Sequence, residues 1–176
     1  MRTWPELEAC VANEWGRMPI LIDGHNLIGR MPALSLADPD DERQLLALLL
    51  SYRARTRKAV TVVFDPGGTF ALPETRRQGG VEVVFAPHGS SADQVIARRV
   101  RRSRDPAGIT VVTSDRELAG EAHIYGAKVK SAEDFAAEMS ALVGDRFEGH
   151  DGPLSAAELE AWLALFEGKD GADALG

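Results

Sequence analysis

The chain has 176 residues, 44% hydrophobic and 27% charged, with a net charge of −7. This suits one domain with a packed core and excludes wholesale disorder. No apolar run approaches the ~20 residues of a membrane helix, Met1 to Glu6 lacks a secretory pattern, and the single cysteine, Cys10, excludes an internal disulfide or thiolate zinc cluster, which together point to the cytoplasm.

In chain order, Trp4, Leu7, Val11 and Trp15 fall on one face of an N-terminal helix. Pro19-Ile20-Leu21-Ile22 reads as a buried strand. After the turn Asp38-Pro39-Asp40, Leu45, Leu48, Leu49 and Tyr52 have helical spacing. Ala59 to Phe64 and Val81 to Phe85 read as further strands, with Arg76 and Arg77 in the loop before the latter. Ala92, Val95, Ile96 and Val100 form one face of the next helix. Ile109 to Val112 is another strand, and a short one is expected near Ala127-Lys128-Val129. Phe135, Met139 and Leu142 mark a helix beyond it. Strands apolar on both faces suit a parallel sheet covered by helices, so the alternation predicts an α/β domain of βαβ units.

Glu148 to Pro153 reads as a linker. Ser155 and Glu158 then form a capping box, and Leu159, Trp162, Leu163 and Phe166 an apolar stripe, before an end expected to fray. The expected organisation is an extension over 1–18, a core domain over 19–147, and a linker, helix and acidic tail over 148–176. Most of the acidity lies in the tail. Residues 1–147 hold 19 Lys+Arg and 20 Asp+Glu, whereas residues 148–176 hold 1 and 7. A near-neutral body leaves room for a basic face beside an acidic site.

The informative residues are carboxylates at strand ends. Asp23 follows the first strand and Asp65 the second. Asp93 opens the helix after the third, and Asp115 opens one after the run Ile109–Thr113. In an open parallel sheet these points share one edge, where such folds bind ligands. Two like charges ~4 Å apart at an effective dielectric of ~20 repel by about 4 kcal/mol. A cluster therefore calls for a cation or raised pKa values. Oxygen ligands without cysteine select Mg²⁺ or Mn²⁺ over Zn²⁺, and such an ion suits phosphodiester hydrolysis.

Each residue alone has a plainer explanation. Asp23-Gly24 could be a turn, Asn26 a cap, and Asp65-Pro66-Gly67-Gly68 a turn. Asp93, with Ser91 and Gln94, and Asp115, with Ser114 and Glu117, could serve helix N-termini. His25 and His88 lie near the same edge without a required role. Arg98, Arg99, Arg101, Arg102 and Arg104, like Arg53, Arg55, Arg57 and Lys58, read either as solvated faces or as a phosphate track. Few aromatic residues accompany them.

Leu21-Ile22-Asp23-Gly24-His25-Asn26-Leu27-Ile28 resembles the opening motif of the NYN domain. Val63-Phe64-Asp65, Ser91 to Ile96 and Val112 to Leu118 follow in the order of that family. The bacterial YacP-type branch, related to PIN and FLAP-type nucleases, is the nearest in pattern over roughly residues 19 to 143, and Leu154 to Trp162 resembles its tail.

The resemblance implies a three-layer PIN-like, Rossmann-like fold and a divalent-metal endoribonuclease in RNA decay or processing. Asp23, Asp93 and Asp115 would be the catalytic and metal-binding acids, joined by Asp65 at a less uniform position and by Asn26 as a catalytic polar group. Asn26, Ser114, Ser91, Arg116, Arg98 and Arg101 would meet substrate. The expected partner is RNA, single-stranded or messenger, with ribosome association left open, as are the RNA's identity and the oligomeric state.

The rival reading is a non-catalytic RNA- or ribosome-binding module, against which the intact acidic set argues. A haloacid dehalogenase-like phosphomonoesterase would need a second Asp where His25 stands. A DNA-directed flap nuclease would need gripping elements for which this length has little room.

Overall fold

The computed structural model describes residues 19–66 and 75–143. The expected N-terminal helix, the C-terminal linker, helix and tail, and the Gly67-Gly68 turn lie outside the described residues.

The strands are β1 (Ile20–Asp23), β2 (Val60–Phe64), β3 (Thr75–Gln78), β4 (Val81–Phe85), β5 (Thr110–Val112) and β6 (Lys128–Lys130). The helices are α1 (Gly24–Ile28), α2 (Asp41–Thr56), α3 (Ala92–Arg102), α4 (Arg116–Ile124) and α5 (Ala132–Val143). They build a mixed α/β, PIN-like fold around a six-stranded sheet in the order β3-β4-β2-β1-β5-β6. All pairings are parallel except that of β3 with β4.

Alternation along the strands divides the core. Ile20, Ile22, Val60, Val62, Phe64 and Val112 face α1, α2 and α5. Leu21, Val63, Val84 and Val111 face α3 and α4. Every residue of β1, β2 and β4 is buried, as expected of parallel strands sandwiched between helix layers. On α3, Val95, Ile96 and Val100 are buried, each worth roughly 1.5–3 kcal/mol.

Local chemistry sets the helix ends. Asp41 and Glu42 put negative charge in the first turn of α2. Its Asp38 turn is closed by the Asp40 amide and the Gln44 side chain, both donating to the Asp38 carboxylate. Arg57 stops the helix in the left-handed region at φ 54°, its amide donating to the Arg53 carbonyl at 2.8 Å.

Two expectations are corrected. Arg76 and Arg77 belong to the antiparallel edge strand β3 and not to a loop. Its sequence, Thr-Arg-Arg-Gln, is exposed and carries no apolar alternation; charged edge strands of this kind resist pairing with other chains. Asp23-Gly24 is not a simple turn either, because Asp23 caps α1, whose tight start brings Gly24 against Phe64.

The order of the sheet positions the site. From β1 the chain builds outward through β2 and β4. It then crosses by α3 to the other side of β1 and adds β5 and β6. The switch point thus lies at the carboxyl ends of β1 and β5, where open α/β sheets form a crevice.

Candidate metal and RNA site

Asp23, Asp65, Asp93 and Asp115 all fall at that edge: at the end of β1, just past β2, in the first turn of α3, and at the cap of α4. Their proximity shows in their electrostatics. Asp23 is only 6% exposed, and burial raises its carboxyl from 3.8 to about 6. The Asn26 amide opposes that rise, Asp93 and Asp65 add to it, and the Thr113 hydroxyl opposes it. Asp93 is also raised, by burial first and then by Asp115 and Asp65; a hydrogen bond with Asp23 lowers it and Glu117 raises it again. Burial and like charge both disfavour full ionisation of this pair, which is the direction in which both carboxyls move.

Backbone and side-chain hydrogen bonds hold the acids in place. The Asn26 amide donates to Asp23 Oδ1 at 3.3 Å and the Thr113 hydroxyl to Asp23 Oδ2 at 3.4 Å. The Asp115 amide in turn donates to the Thr113 oxygen at 3.1 Å. Asp115, and not Ser114, is the N-cap of α4, accepting the amides of Glu117 and Leu118 at 2.8 and 3.0 Å. The Asp65 Oδ1 accepts the Ala92 amide at 2.8 Å, at the start of α3.

The polar candidates are mostly engaged within the protein. Asn26 Oδ1 accepts the Ser114 amide at 2.8 Å, tying α1 to the β5–α4 turn. The Ser114 hydroxyl donates to Glu133 and accepts the Ala132 amide at 3.0 Å, tying that turn to α5. Arg30 meets the same Glu133 at 3.2 Å. Ser91 caps α3 by accepting the Gln94 amide at 3.3 Å, while the Gln94 side chain takes the Ser90 hydroxyl and does not close the expected box.

Of the candidate arginines, Arg116 begins α4 beside Asp115 and is exposed. Arg98 and Arg101 are not at this edge. They lie six and nine residues beyond Ala92 on α3, roughly 9 and 14 Å along its axis. The basic end of α2 (Arg53, Arg55, Arg57, Lys58) immediately precedes β2 and so sits at the opposite edge of the sheet. Arg99 is partly buried against Glu82 at 2.6 Å. His88 is exposed in the loop before α3.

Three neighbours of the cluster carry no sequence pattern that marks them as site residues. Thr113 is a buried polar residue that continues a strand. Glu117 lies two residues past Asp115 and reads as a capping partner. Glu42 reaches His25 at 3.3 Å across 17 positions of sequence, and only the fold reveals that contact.

In donor type the edge is all oxygen, the chemistry a hard divalent cation takes, and the nearby imidazole of His25 is turned to Glu42 and Asp65. Among the described residues no group of three or more His, Cys, Asp or Glu side chains stands close enough to hold a metal ion as placed.

The YacP-like NYN domain family matches residues 20–146. The uncharacterized protein YacP of Bacillus subtilis (strain 168) is 30% identical over 128 residues, spanning 70% of this chain and 75% of that one. The crystal structure of Rae1 (YacP) from Bacillus subtilis superposes with a TM-score of 0.58 at 25% identity, over 85% of this chain and 88% of the other. The crystal structure of a tryptophan-to-leucine mutant of the same Bacillus protein gives 0.57 at 25% identity, over 84% and 91%. Among the described residues no helix is long and apolar enough to cross a membrane. The family model, the curated relative and the solved structures agree, and the chain belongs to the YacP-like NYN domain family.

Proposed function

We propose that this protein is a divalent-metal-dependent endoribonuclease that hydrolyses phosphodiester bonds in RNA decay or processing, including on ribosome-associated messages. Family membership supports a nuclease or RNA-related role. The observation that carries the finer reading is the convergence of Asp23, Asp93 and Asp115 at the switch point, where burial and mutual repulsion raise the first two. Such a cluster lacks its counter-charge until a cation arrives.

Asp23, Asp93 and Asp115 would hold Mg²⁺ or Mn²⁺, which when bound supplies Lewis-acid polarisation of the phosphate and activation of the attacking water. The chain's own residues position the acids. The Asn26 amide in α1 and the Thr113 hydroxyl past β5 hold one oxygen each of Asp23, and Asn26 and Ser114 brace α1 against the turn carrying Asp115. Arg116, exposed at the same edge, offers a guanidinium to the phosphate. Arg98 and Arg101 reach only backbone that extends along α3. Contacts of this kind read phosphate and not base, so sequence choice falls to the RNA's shape or to a partner such as the ribosome.

Calorimetric titration with Mn²⁺, followed by incubation with a long single-stranded RNA, tests the reading on wild type and the Asp23→Asn/Asp115→Asn variant. Binding and scission in wild type, both lost in the variant, are expected. Neither metal binding nor scission in wild type would leave a non-catalytic RNA- or ribosome-binding module, the reading favoured by the absence, among the described residues, of a side-chain group close enough to hold a metal ion as placed.

A further inference from the structure

Both ring nitrogens of His25 face carboxylates beside the aspartate cluster. Nε2 lies 3.3 Å from Glu42 Oε1, in the first turn of α2. Nδ1 lies 3.6 Å from Asp65 Oδ2. The ring rests tilted on Phe64, centroids 5.3 Å apart, so it is held by packing as well as by charge. Asp65 then has a protein neighbour at each oxygen: Oδ2 faces His25, and Oδ1 accepts the Ala92 amide at 2.8 Å.

That second contact joins the loop after β2 to the first residue of α3, and Asp93 is the next residue along. A helix start is a set of unpaired amides whose position depends on what caps it. Ser91 supplies one cap within the local sequence. Asp65 supplies the other from 27 positions away, and it is the one that ties α3 to the sheet. The contacts therefore run from α2 through Glu42, His25 and Asp65 to Ala92, and end beside an acid of the proposed ion site.

We propose that His25 is a positioning residue: by bridging Glu42 and Asp65 it holds the Asp65 carboxylate on the Ala92 amide and so sets where α3 presents Asp93, which makes Asp65 a bracket of the site and not a ligand of its ion. The ion's place in this scheme rests on the nuclease reading above; the bracket itself does not. A carboxylate fixed by the Ala92 amide on one oxygen and facing an imidazole on the other has less freedom to turn toward an ion. Asp115 also caps a helix, but through Oδ1 alone.

The test uses the full chain as His25→Ala, Asp65→Ala, Asp65→Asn and the His25→Ala/Asp65→Ala double variant, with two readouts. Hydrogen exchange at the Ala92 and Asp93 amides follows the bracket without any metal, with Leu21 and Leu118 as controls for general loosening. Mn²⁺ calorimetry gives affinity and stoichiometry.

Both alanine variants should exchange faster at Ala92, with the controls unchanged. Each should weaken Mn²⁺ by about 10-fold, as loss of an outer-sphere partner does, with unchanged stoichiometry. The double variant should be no worse than the worse single, because both act through one contact. Asp65→Asn keeps an oxygen for the Ala92 amide and should restore its protection. Wild-type exchange at Ala92 in His25→Ala, or loss of an Mn²⁺ equivalent in Asp65→Asn, would overturn the proposal. If the wild type bound no Mn²⁺, the nuclease reading would fall, and exchange at Ala92 would still decide whether His25 sets the start of α3.

Discussion

Thr113 turns its hydroxyl onto the Asp23 carboxylate across the β1–β5 pair, donating to Oδ2 at 3.4 Å. Its oxygen also accepts the Asp115 amide at 3.1 Å, so one buried side chain serves two of the acids. Replacement by valine keeps the shape, removes both contacts and leaves the Asp115 amide short of a partner. Thr113→Val should lower stability by about 1–3 kcal/mol and raise Asp23 further, whereas Thr113→Ser should retain most of both. Chemical denaturation and carbon-detected titration of the Asp23 carboxyl check this.

The raised Asp23 makes stability depend on pH in a defined direction. Its carboxyl binds a proton more tightly in the folded chain, at about 6, than at its ordinary 3.8. For this group the fold is favoured below 3.8, and the advantage is lost as pH rises through about 6. Asp23→Asn should therefore stabilise the metal-free protein at pH 7 by up to about 3 kcal/mol and have little effect at pH 3.5. Thermal melts of both proteins at the two pH values measure it. With saturating Mn²⁺ the order should reverse, since an ion bound only by the folded form stabilises by mass action.

On the α3 side of the sheet, Glu82 accepts from Arg99 at 2.6 Å and from the Thr61 hydroxyl at 3.0 Å. Glu82 is buried and Arg99 nearly so. Arg99→Ala leaves a buried carboxylate without its counter-charge and should cost about 3–5 kcal/mol. Replacing both partners, Glu82→Met with Arg99→Met, should cost far less. Urea denaturation of the pair of variants distinguishes a useful ion pair from a merely mutual dependence.

Gly24 opens α1 where no side chain fits: a Cβ there would lie 2.3 Å from Phe64 Cε1. Gly24→Ala should cost about 1–3 kcal/mol through forced repacking, and Phe64→Leu in the same background should return part of it. Because Asp23 is the adjoining residue, Mn²⁺ affinity should fall with stability in the single variant, which calorimetry would register.

The sequence makes β1, β2, β4 and β5 legible because strands buried on both faces become short runs of Val, Ile and Leu. The aspartates are legible because each stands where such a run ends, and shared location adds what no single residue supplies. The β3 strand is not legible: a charged edge strand needs no apolar face, so Arg76 and Arg77 resemble a loop. The five-residue helix α1 is too short to show a period. Ser114 looks like the cap of α4 by spacing alone, yet the carboxylate of Asp115 takes the amides and frees Ser114 to hold α5. Thr113 and the His25–Glu42 contact depend on which strands and helices become neighbours, information that local pattern does not carry.

The sheet order also has a consequence for biosynthesis. A chain emerging from its N-terminus can pair β1 with β2 and β2 with β4 early, bringing Asp23 and Asp65 together. Asp115 arrives only after α3 has crossed over and β5 has paired on the far side of β1. The nascent chain thus carries an incomplete set of acids until more than a hundred residues have been made, and assembly of the proposed ion site becomes a late event in folding, coupled to closure of the crossover and not to collapse of the first strands.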